Sequence, residues 1–271
     1  MSDTQSVSIS RAVETLLIRE NHRGMADISE SLEPGYLLRA AEYLLACSGP
    51  VYIITGFPVN GTFETDGPTG ALALYRLVEK LGNQPVIITD PIIAAAVPDQ
   101  FSCRSIAGNT FEAVSEDAEE LYRGASPGLV ISIERPGMAA DGRYYNMSGE
   151  DITSHCGIAE PYLVFASCPT IAIGDGGNEI GMGNVLSALS KLNIRPAVST
   201  CSELIVADVS NWGAYAFCGL TAWLSGARLP DPNEFATDLD YFVSQGAVDG
   251  VTREATPTED GFTREKTSLL L

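Results

Sequence analysis

The chain alternates short apolar runs with polar, glycine-bearing turns, and most of these turns lead into a stretch with helical spacing. Apolar runs of this length, bounded by turn residues, are typical of buried strands. Helical spacing predicts one helix over 7–20 and a second over 34–47, where Pro34 suits a first helical turn. The predicted strands cover 51–55, 86–89, 101–106, 129–133, 170–173 and 204–207.

Further helices are predicted over 68–81, 184–192 and 210–227, so that strands and helices alternate. This alternation predicts a three-layer α/β fold: a mostly parallel, twisted sheet with helices on both faces, Rossmann-like and doubly wound. In such sheets ligands bind beyond the carboxyl ends of the strands. The polar, glycine-rich segments all follow strands, so we expect them to converge at one edge of the sheet.

The same pattern predicts one α/β domain over 1–271, with a helical extension over 1–30 and an irregular polar tail over 248–271. The net charge is −19 without any basic run, which excludes nucleic acid as a partner. No apolar run approaches the roughly 20 residues that span a bilayer, so no membrane association is expected. The first residues lack the basic and apolar regions of a secretory signal, which predicts a cytoplasmic protein.

The six cysteines form no C-x-x-C pair, and two histidines cannot build a multi-histidine metal site. A metal ion would therefore be held by oxygen, which suits Mg²⁺, Mn²⁺ or Ca²⁺. The composition requires no cofactor, and it leaves Mg²⁺ or Mn²⁺ open. It also leaves the oligomeric state open, a homo-oligomer included.

The most informative loop is GDGGNEIGMGN over 174–184, directly after a predicted strand. Glycine is favoured where the backbone takes positive φ or where another group must come close. The loop matches neither the P-loop nor the G-x-G-x-x-G fingerprint, so it is no phosphate cradle of a known type. Its carboxylates and carboxamides point to a cation, an amine or a ligand with donors and acceptors, whereas the alternative is a tight connection with solvated acids.

Other loops after strands carry similar groups. Glu64, Asp66 and Gly67 open a helix; Asp66 can serve as its N-cap, but Glu64 is not needed for capping. Arg135 can clamp a substrate carboxylate through its planar guanidinium or form an ion pair with Glu134. Asn211 follows the last strand, where a helix N-cap is the alternative to a ligand contact.

The adjacent pair His155–Cys156 suggests a nucleophile and its base. Neighbouring residues usually point apart, and a catalytic triad cannot be inferred from adjacency. We therefore favour the acidic loops over this pair as the site of chemistry.

Taken together, these segments resemble the D-glutamate cyclase family, specifically its C-terminal cyclase-like domain, here standing alone. The resemblance covers about residues 30 to 255 and rests on several unusual strings in one order. The strings are TGFP at 55–58, ETDGP at 64–68, TD at 89–90, ERPG at 134–137, DGRYYNM at 141–147, the loop 174–184 and SNWG at 210–213.

The resemblance implies a carbon-oxygen lyase that converts D-glutamate to 5-oxo-D-proline with loss of water. Such a reaction needs a carboxylate base near the α-ammonium, an electrophilic γ-carboxyl group, and donors for the developing oxyanion. The base or metal ligands would be Asp175 and Glu179, and Asn178 with glycine N–H groups would supply the donors. The substrate-binding residues implied are Glu64, Asp66, Gly67, Arg135, Asp141, Gly176, Gly177 and Asn211.

Two other functions remain open at this point. Acidic loops at strand ends also suit a Mg²⁺-dependent hydrolase of a phosphorylated small molecule. A non-catalytic amino-acid-binding module would need the same mixture of acids, amides and arginine.

Overall fold

A computed structural model describes residues 3–268 of the protein. Its centre is a parallel sheet of six strands in the order β3-β2-β1-β4-β5-β6. This confirms the predicted three-layer α/β fold, and the order is that of the doubly wound dinucleotide-binding type. The strands are β1 (Pro50–Thr55), β2 (Gln84–Thr89), β3 (Cys103–Ser105), β4 (Leu129–Ile133), β5 (Thr170–Gly174) and β6 (Glu203–Val206).

The sheet is covered on both faces, which explains why its strands are almost uninterrupted apolar runs. Alternate residues of β1 point to opposite faces, so Ile53 belongs to one core cluster and Ile54 to the other. In register, Ile53 lies beside Ile87 of β2 and Ile131 of β4. Because both faces are buried, a shift of register by one residue would be costly.

Helices pack against both faces of the sheet. Helices α3, α4 and α9 contribute to the larger core cluster, and α6 and α7 to the smaller one. The helices are α1 (Asp3–Leu17), α2 (Met25–Ser29), α3 (Tyr36–Ala46), α4 (Pro68–Lys80), α5 (Pro91–Ala94), α6 (Phe111–Gly124), α7 (Glu160–Val164), α8 (Leu186–Leu189), α9 (Ser210–Ser225), α10 (Pro232–Ser244) and α11 (Arg264–Ser268). Among the described residues, no helix combines the length and the apolar character that a membrane crossing requires.

The N-terminal helix α1 is joined to the body through a buried carboxylate. Glu14 accepts hydrogen bonds from the backbone N–H groups of Gly35 (2.9 Å) and Leu37 (3.0 Å) at the start of α3. The side chain of Ser10 donates to the same carboxylate at 2.6 Å. A negative charge here satisfies free N–H groups of α3 and offsets its positive end.

Two predicted elements differ in the structure. The helix predicted over 184–192 is a 3₁₀ turn, Met182–Val185, followed by the four-residue α8. The tail predicted as irregular contains a hairpin, Thr258–Glu259 with Phe262–Thr263, and then α11.

The order in the tail comes from tertiary contacts that a local pattern does not reveal. The ring of Phe262 lies 5.0 Å from that of Trp212 on α9, measured between centroids. The indole N–H of Trp212 donates to Thr267 Oγ1 at 2.9 Å. A buried indole N–H that gains this partner stabilises the docked tail.

The strand order reverses between β1 and β4, since β2 and β3 lie on one side of β1 and β5 and β6 lie beyond β4. The loops that leave β1 and β4 diverge from this point and open a crevice at the carboxyl edge. In open α/β sheets this crevice is the usual ligand site. The fold therefore directs attention to the loops after β1, β4 and β5.

Candidate functional site

Six buried carboxyl groups meet in the crevice, from four separate parts of the chain. Two come from the loop after β1, one follows β4, two lie in the glycine-rich loop after β5, and one is in the hairpin of the tail. They are Glu64, Asp66, Glu134, Asp175, Glu179 and Asp260.

Asp66 and Asn211 build the floor of the crevice by joining two helix N-termini. Asp66 accepts hydrogen bonds from the backbone N–H groups of Ser210 (2.9 Å) and Asn211 (2.6 Å) at the start of α9. Asn211 Oδ1 accepts from the N–H groups of Gly67 (2.9 Å) and Gly70 (2.8 Å) at the start of α4. These predicted ligand-binding residues are thus engaged with backbone groups, but neither caps its own helix as the capping alternative expected: Asp66 binds the start of α9 and Asn211 the start of α4.

The glycine-rich loop gives room to one carboxylate and one carboxamide. Glu179 Oε2 accepts a hydrogen bond from the N–H of Gly177 at 2.8 Å, and Gly177 has φ +99°. A Cβ atom at Gly176 would lie only 2.7 Å from Asn178 Oδ1 and 2.8 Å from Glu179 Oε1. Gly177 thus provides the positive φ, and Gly176 the close approach, for which glycine is favoured. That these two glycines bind the substrate stays a prediction.

Asn178 offers an acceptor to the crevice and not the donor that sequence analysis assigned to it. Its Nδ2 group donates to the carbonyl of Tyr145 at 2.9 Å, which fixes the orientation of the amide. Its Oδ1 atom is buried and has no hydrogen-bond partner. A buried unpaired acceptor beside a cavity is suited to a ligand N–H or to a cation.

Arg23 is the only cationic side chain among the described residues that enters the buried cluster. Its guanidinium forms ion pairs with Asp175 and, at 2.7 Å, with Asp260. The segment that carries it is held by Asp208, which accepts from the N–H groups of Glu20 (2.7 Å) and Asn21 (2.9 Å). The N-terminal extension and the tail hairpin therefore both contribute to the site.

Glu134 has an unusual backbone conformation for a glutamate, with φ +40°. Its Oε2 atom accepts a hydrogen bond from Ser210 Oγ at 2.6 Å. A Cβ atom at Gly67 would lie 2.9 Å from the Cβ of Glu134, so the two segments pass very close together. Left-handed backbone at a non-glycine residue costs free energy, and where it is maintained it often marks a functional site.

A cavity of about 430 Å³ opens above this cluster, within the range of small-molecule sites. Its inner wall is formed by Arg23, Glu64, Glu134, Asn178 and Glu179, whereas Glu150 and Arg253 lie at its rim. Asp66, Asp175 and Asn211 are not part of its lining, and they lie behind the inner wall.

Burial raises the pKa of all six clustered carboxyl groups, and their neighbours add to this shift in some and oppose it in others. For Glu64, Asp66 and Glu134 the neighbours are other acids, so the pKa of each lies well above its usual range. For Asp175 the effect of burial is opposed by Arg23, and for Glu179 by the N–H of Gly177. Burial also raises the pKa of Asp260 to about 7, despite Arg23. With a single guanidinium among six acids, the cluster must hold protons or a further cation near neutral pH.

Arg135 and Asp141 are not brought into the crevice. Arg135 is fully buried in a bidentate pair with Asp90 (2.6 and 3.0 Å), so its guanidinium is not free to clamp a substrate. The ion pair that sequence analysis considered for Arg135 does form, but with Asp90 instead of Glu134. Asp141 is exposed and accepts a hydrogen bond from the hydroxyl of Tyr145 at 2.6 Å. Its role lies in shaping the surface loop.

The sequence interpretation missed Arg23, Asp260 and Arg253 and did not include Glu134 among the site residues. Arg23 lies outside the strings that carry the resemblance, and no local signal marks it. Asp260 precedes Gly261, and Asp-Gly is a strong hairpin signal that could have indicated order in the tail. Only the packing of the two chain ends onto the sheet edge brings these residues together.

The fold and the site define a doubly wound α/β protein that carries a buried acidic cluster and a small-molecule-sized cavity at its switch point. The family model described as "D-glutamate cyclase-like, C-terminal" matches residues 13–271. The chain belongs to this family, which confirms the resemblance and extends it toward both ends.

A curated human relative, "D-glutamate cyclase, mitochondrial", is 33% identical over 219 residues, which is 69% of this chain. The chain spans only 36% of the length of that relative.

Two solved structures are similar to this chain at a low level. An exopolyphosphatase-related protein from Bacteroides fragilis has a TM-score of 0.44 and 9% identity, over 88% of this chain and 56% of its own. Exonuclease RecJ bound to manganese has a TM-score of 0.38 and 15% identity, over 79% of this chain and 43% of its own. Neither bears on the activity.

Proposed function

We propose that this protein is an enzyme of the D-glutamate cyclase type, which closes D-glutamate to 5-oxo-D-proline with loss of water. The observation that carries the proposal is the cavity, because its inner wall combines Glu64, Glu134, Glu179, Asn178 and Arg23. The reacting ligand has an ammonium group and two carboxylates. A wall of protonatable acids, one amide acceptor and one guanidinium is complementary to these groups, and family membership supports the same substrate.

Cyclisation requires that the ammonium group lose a proton before its nitrogen attacks the γ-carboxyl carbon. Glu179 is suited to accept this proton. The Gly177 N–H holds one of its oxygens, which favours the carboxylate form, whereas burial keeps its pKa above the usual range. A base is most effective when its pKa lies near the working pH. The adjacent Asn178 Oδ1 can accept a hydrogen bond from the same ammonium group.

The nitrogen loses two protons in all, and the γ-carboxyl oxygen that leaves as water gains two, so the reaction also needs a proton donor beside that oxygen. Glu64 is suited to this role because burial and the negative charges of Asp260 and Asp175 hold its pKa well above the usual range. The protonated form of Glu64 is therefore favoured, and its Oε1 atom has no hydrogen-bond partner. Two glutamates whose environments differ in this way can divide the acid and base roles.

Asp175 and Glu179 remain candidates for metal ligands. Carboxylate oxygens of Glu134, Asp175 and Glu179 lie within 4.8 Å of one another, and so do those of Asp66, Asp175 and Asp260. These donors are all hard oxygens, which fits Mg²⁺ or Mn²⁺. A bound divalent ion would offset the surplus negative charge and polarise a carboxyl group. Arg23 supplies part of that compensation from the chain itself.

The decisive experiment incubates the pure protein with D- and L-glutamate, with and without Mg²⁺ or Mn²⁺, and follows 5-oxoproline. We expect turnover of D-glutamate, and a loss of about 10²- to 10⁴-fold in kcat for Glu179→Gln and Glu64→Gln. Glu119→Gln, on the exposed side of α6, is the matched control and should retain activity.

The outcomes separate the three functions. Hydrolysis of a panel of phosphate esters without cyclisation of D-glutamate would replace the proposal with a hydrolase. Saturable binding of D-glutamate in calorimetry, with no 5-oxoproline after long incubation, would indicate a binding module.

A further inference from the structure

Arg253 lies at the rim of the cavity, and its guanidinium is available to a ligand. Nearly half of its side chain is exposed (46%). Within residues 3–268 its ion-pair partner is Glu150, at 3.6 Å between Nη2 and Oε2. A charge-assisted hydrogen bond is normally 2.7–2.9 Å long, so this contact leaves the donors of Arg253 largely unused.

The loop that presents Arg253 is tightly organised by Asp249. Asp249 Oδ1 accepts from the N–H groups of Val251 (2.9 Å) and Thr252 (2.7 Å), and Oδ2 accepts from Gly261 (2.7 Å). The N–H of Arg253 donates to the carbonyl of Asp249 at 2.8 Å, and Arg253 has φ +61°. These bonds fix the backbone from which the arginine side chain extends, despite an unfavourable conformation.

The other arginines near the crevice are already engaged. Arg135 is enclosed with Asp90, outside the cavity. Arg23 is at the inner wall but pairs with Asp175 and Asp260. Since acids dominate the inner wall, a ligand carboxylate that takes no part in the reaction is better placed against Arg253 at the rim, where Glu150 and Asp151 also line the cavity.

We infer that Arg253 binds the α-carboxylate of the substrate and thereby selects α-amino dicarboxylates. This inference rests on the proposed function. The γ-carboxyl group must face Glu64 and the ammonium group must face Glu179, where protons are exchanged, and the α-carboxylate then points to the rim. The planar guanidinium binds a carboxylate through two parallel hydrogen bonds. Glu150 competes for the same donors.

The test compares D-glutamate with its α-carboxamide analogue in wild type and Arg253→Met. For D-glutamate we expect KM to rise about 10- to 100-fold in the variant, with kcat changed far less. The analogue should be a poor substrate for both proteins, with no further penalty from the substitution. Arg253→Lys should recover part of the loss.

Two control variants sharpen the result. Glu150→Gln should leave KM unchanged or lower it, since it removes a competitor. Arg228→Met, at an exposed position after α9, should have no effect. An unchanged KM for D-glutamate in Arg253→Met, or an equal penalty on the carboxamide, would overturn the inference.

Calorimetric titration with D-glutamate distinguishes this inference from the proposed function. Binding by wild type that is lost in Arg253→Met supports the role of Arg253 even if no 5-oxoproline forms, in which case the cyclase assignment alone fails. Equal binding by both proteins rejects the role of Arg253, whatever the turnover.

Discussion

Two arginines at the same edge of the sheet, one buried and one partly buried, have opposite surroundings. Arg135 faces a single carboxylate, Asp90, and its two terminal nitrogens also donate to the carbonyls of Gly56 (3.2 Å) and Gly157. Arg23 faces a cluster of six carboxyl groups from four parts of the chain. One arrangement is electrically balanced, with one carboxylate for one guanidinium, whereas the other has a large surplus of acids.

The difference distinguishes an ion pair that stabilises the fold from a cluster of acids that is suited to proton exchange. A balanced, enclosed pair fixes the loops after β2 and β4 and has no reason to exchange protons with a ligand. An unbalanced cluster keeps carboxyl groups poised between protonated and ionised forms, which is what acid–base catalysis or cation binding requires. Arginine in a glycine-rich loop is therefore a poor guide to a binding site until its partners are known.

The largest effect should come from breaking the balanced pair. Arg135→Met leaves Asp90 buried without its partner and should lower the free energy of unfolding by about 3–5 kcal/mol at pH 7. Urea denaturation monitored by circular dichroism measures this. A loss below about 1 kcal/mol would show that the pair is not a structural element.

The unbalanced cluster should respond to pH with the opposite sign from ordinary acids. The pKa of Asp260 is about 7 in the folded protein, against an ordinary value of 3.8. The folded state therefore binds this proton more tightly, and the stability it contributes is lost as pH rises from about 4 to 7. Relative to Asp260→Asn, wild type should lose at most about 4 kcal/mol over that window.

Urea titrations of both proteins at a series of pH values measure this difference. Asp141→Asn removes an exposed carboxyl group with a lowered pKa and keeps Asp260, so as the control it should show the same decline as wild type. Parallel pH profiles for wild type and Asp260→Asn would contradict the assignment of a stored proton to the cluster.

A divalent ion should offset the surplus negative charge of the same six carboxyl groups. At a concentration 100-fold above its Kd, Mn²⁺ or Mg²⁺ should stabilise the folded protein by about 2.7 kcal/mol, and the ion should have less effect on Asp175→Asn. Thermal unfolding in the presence of the ion or of EDTA measures the shift in Tm. Identical transitions with and without the ion would leave Arg23 and bound protons as the only compensation.

The smallest effect should come from an exposed ion pair near the rim. Arg143 Nη1 lies 3.1 Å from Asp151 Oδ2, and both side chains are largely exposed. Arg143→Met should change the free energy of unfolding by no more than about 1 kcal/mol, because solvent screens such pairs. The same urea titration provides the comparison with Arg135→Met, and similar losses in both would contradict the distinction between the two regions.

Much of the site could be predicted because strand ends and loop composition are local features. Glu64, Asn178 and Glu179 line the cavity as the polar loops after strands suggested. Asp66 and Asn211 are close by but hold helix termini, although not those of their own helices as the N-cap alternative expected. A sequence pattern cannot distinguish a carboxylate that binds backbone N–H groups from one that faces a cavity.

The residues that were missed depend on contacts between distant segments. Glu20 and Asn21 bind Asp208 through their backbone N–H groups, which carries Arg23 into the cluster. Trp212 and Thr267 bring the tail hairpin to the same place. In each of these pairs the two partners lie in different segments, and no periodicity or motif links one to the other.

The sequence by itself determined the alternation of buried strands and helices, and with it the parallel sheet and the edge where polar loops gather. Hydrophobic periodicity and turn residues act over a few positions and are visible in one dimension. Only the tertiary structure decided which arginine meets which acid, and which groups face the cavity. Charge balance is a property of neighbours in space, and here Arg23 and Asp260 are paired although they lie near opposite ends of the chain.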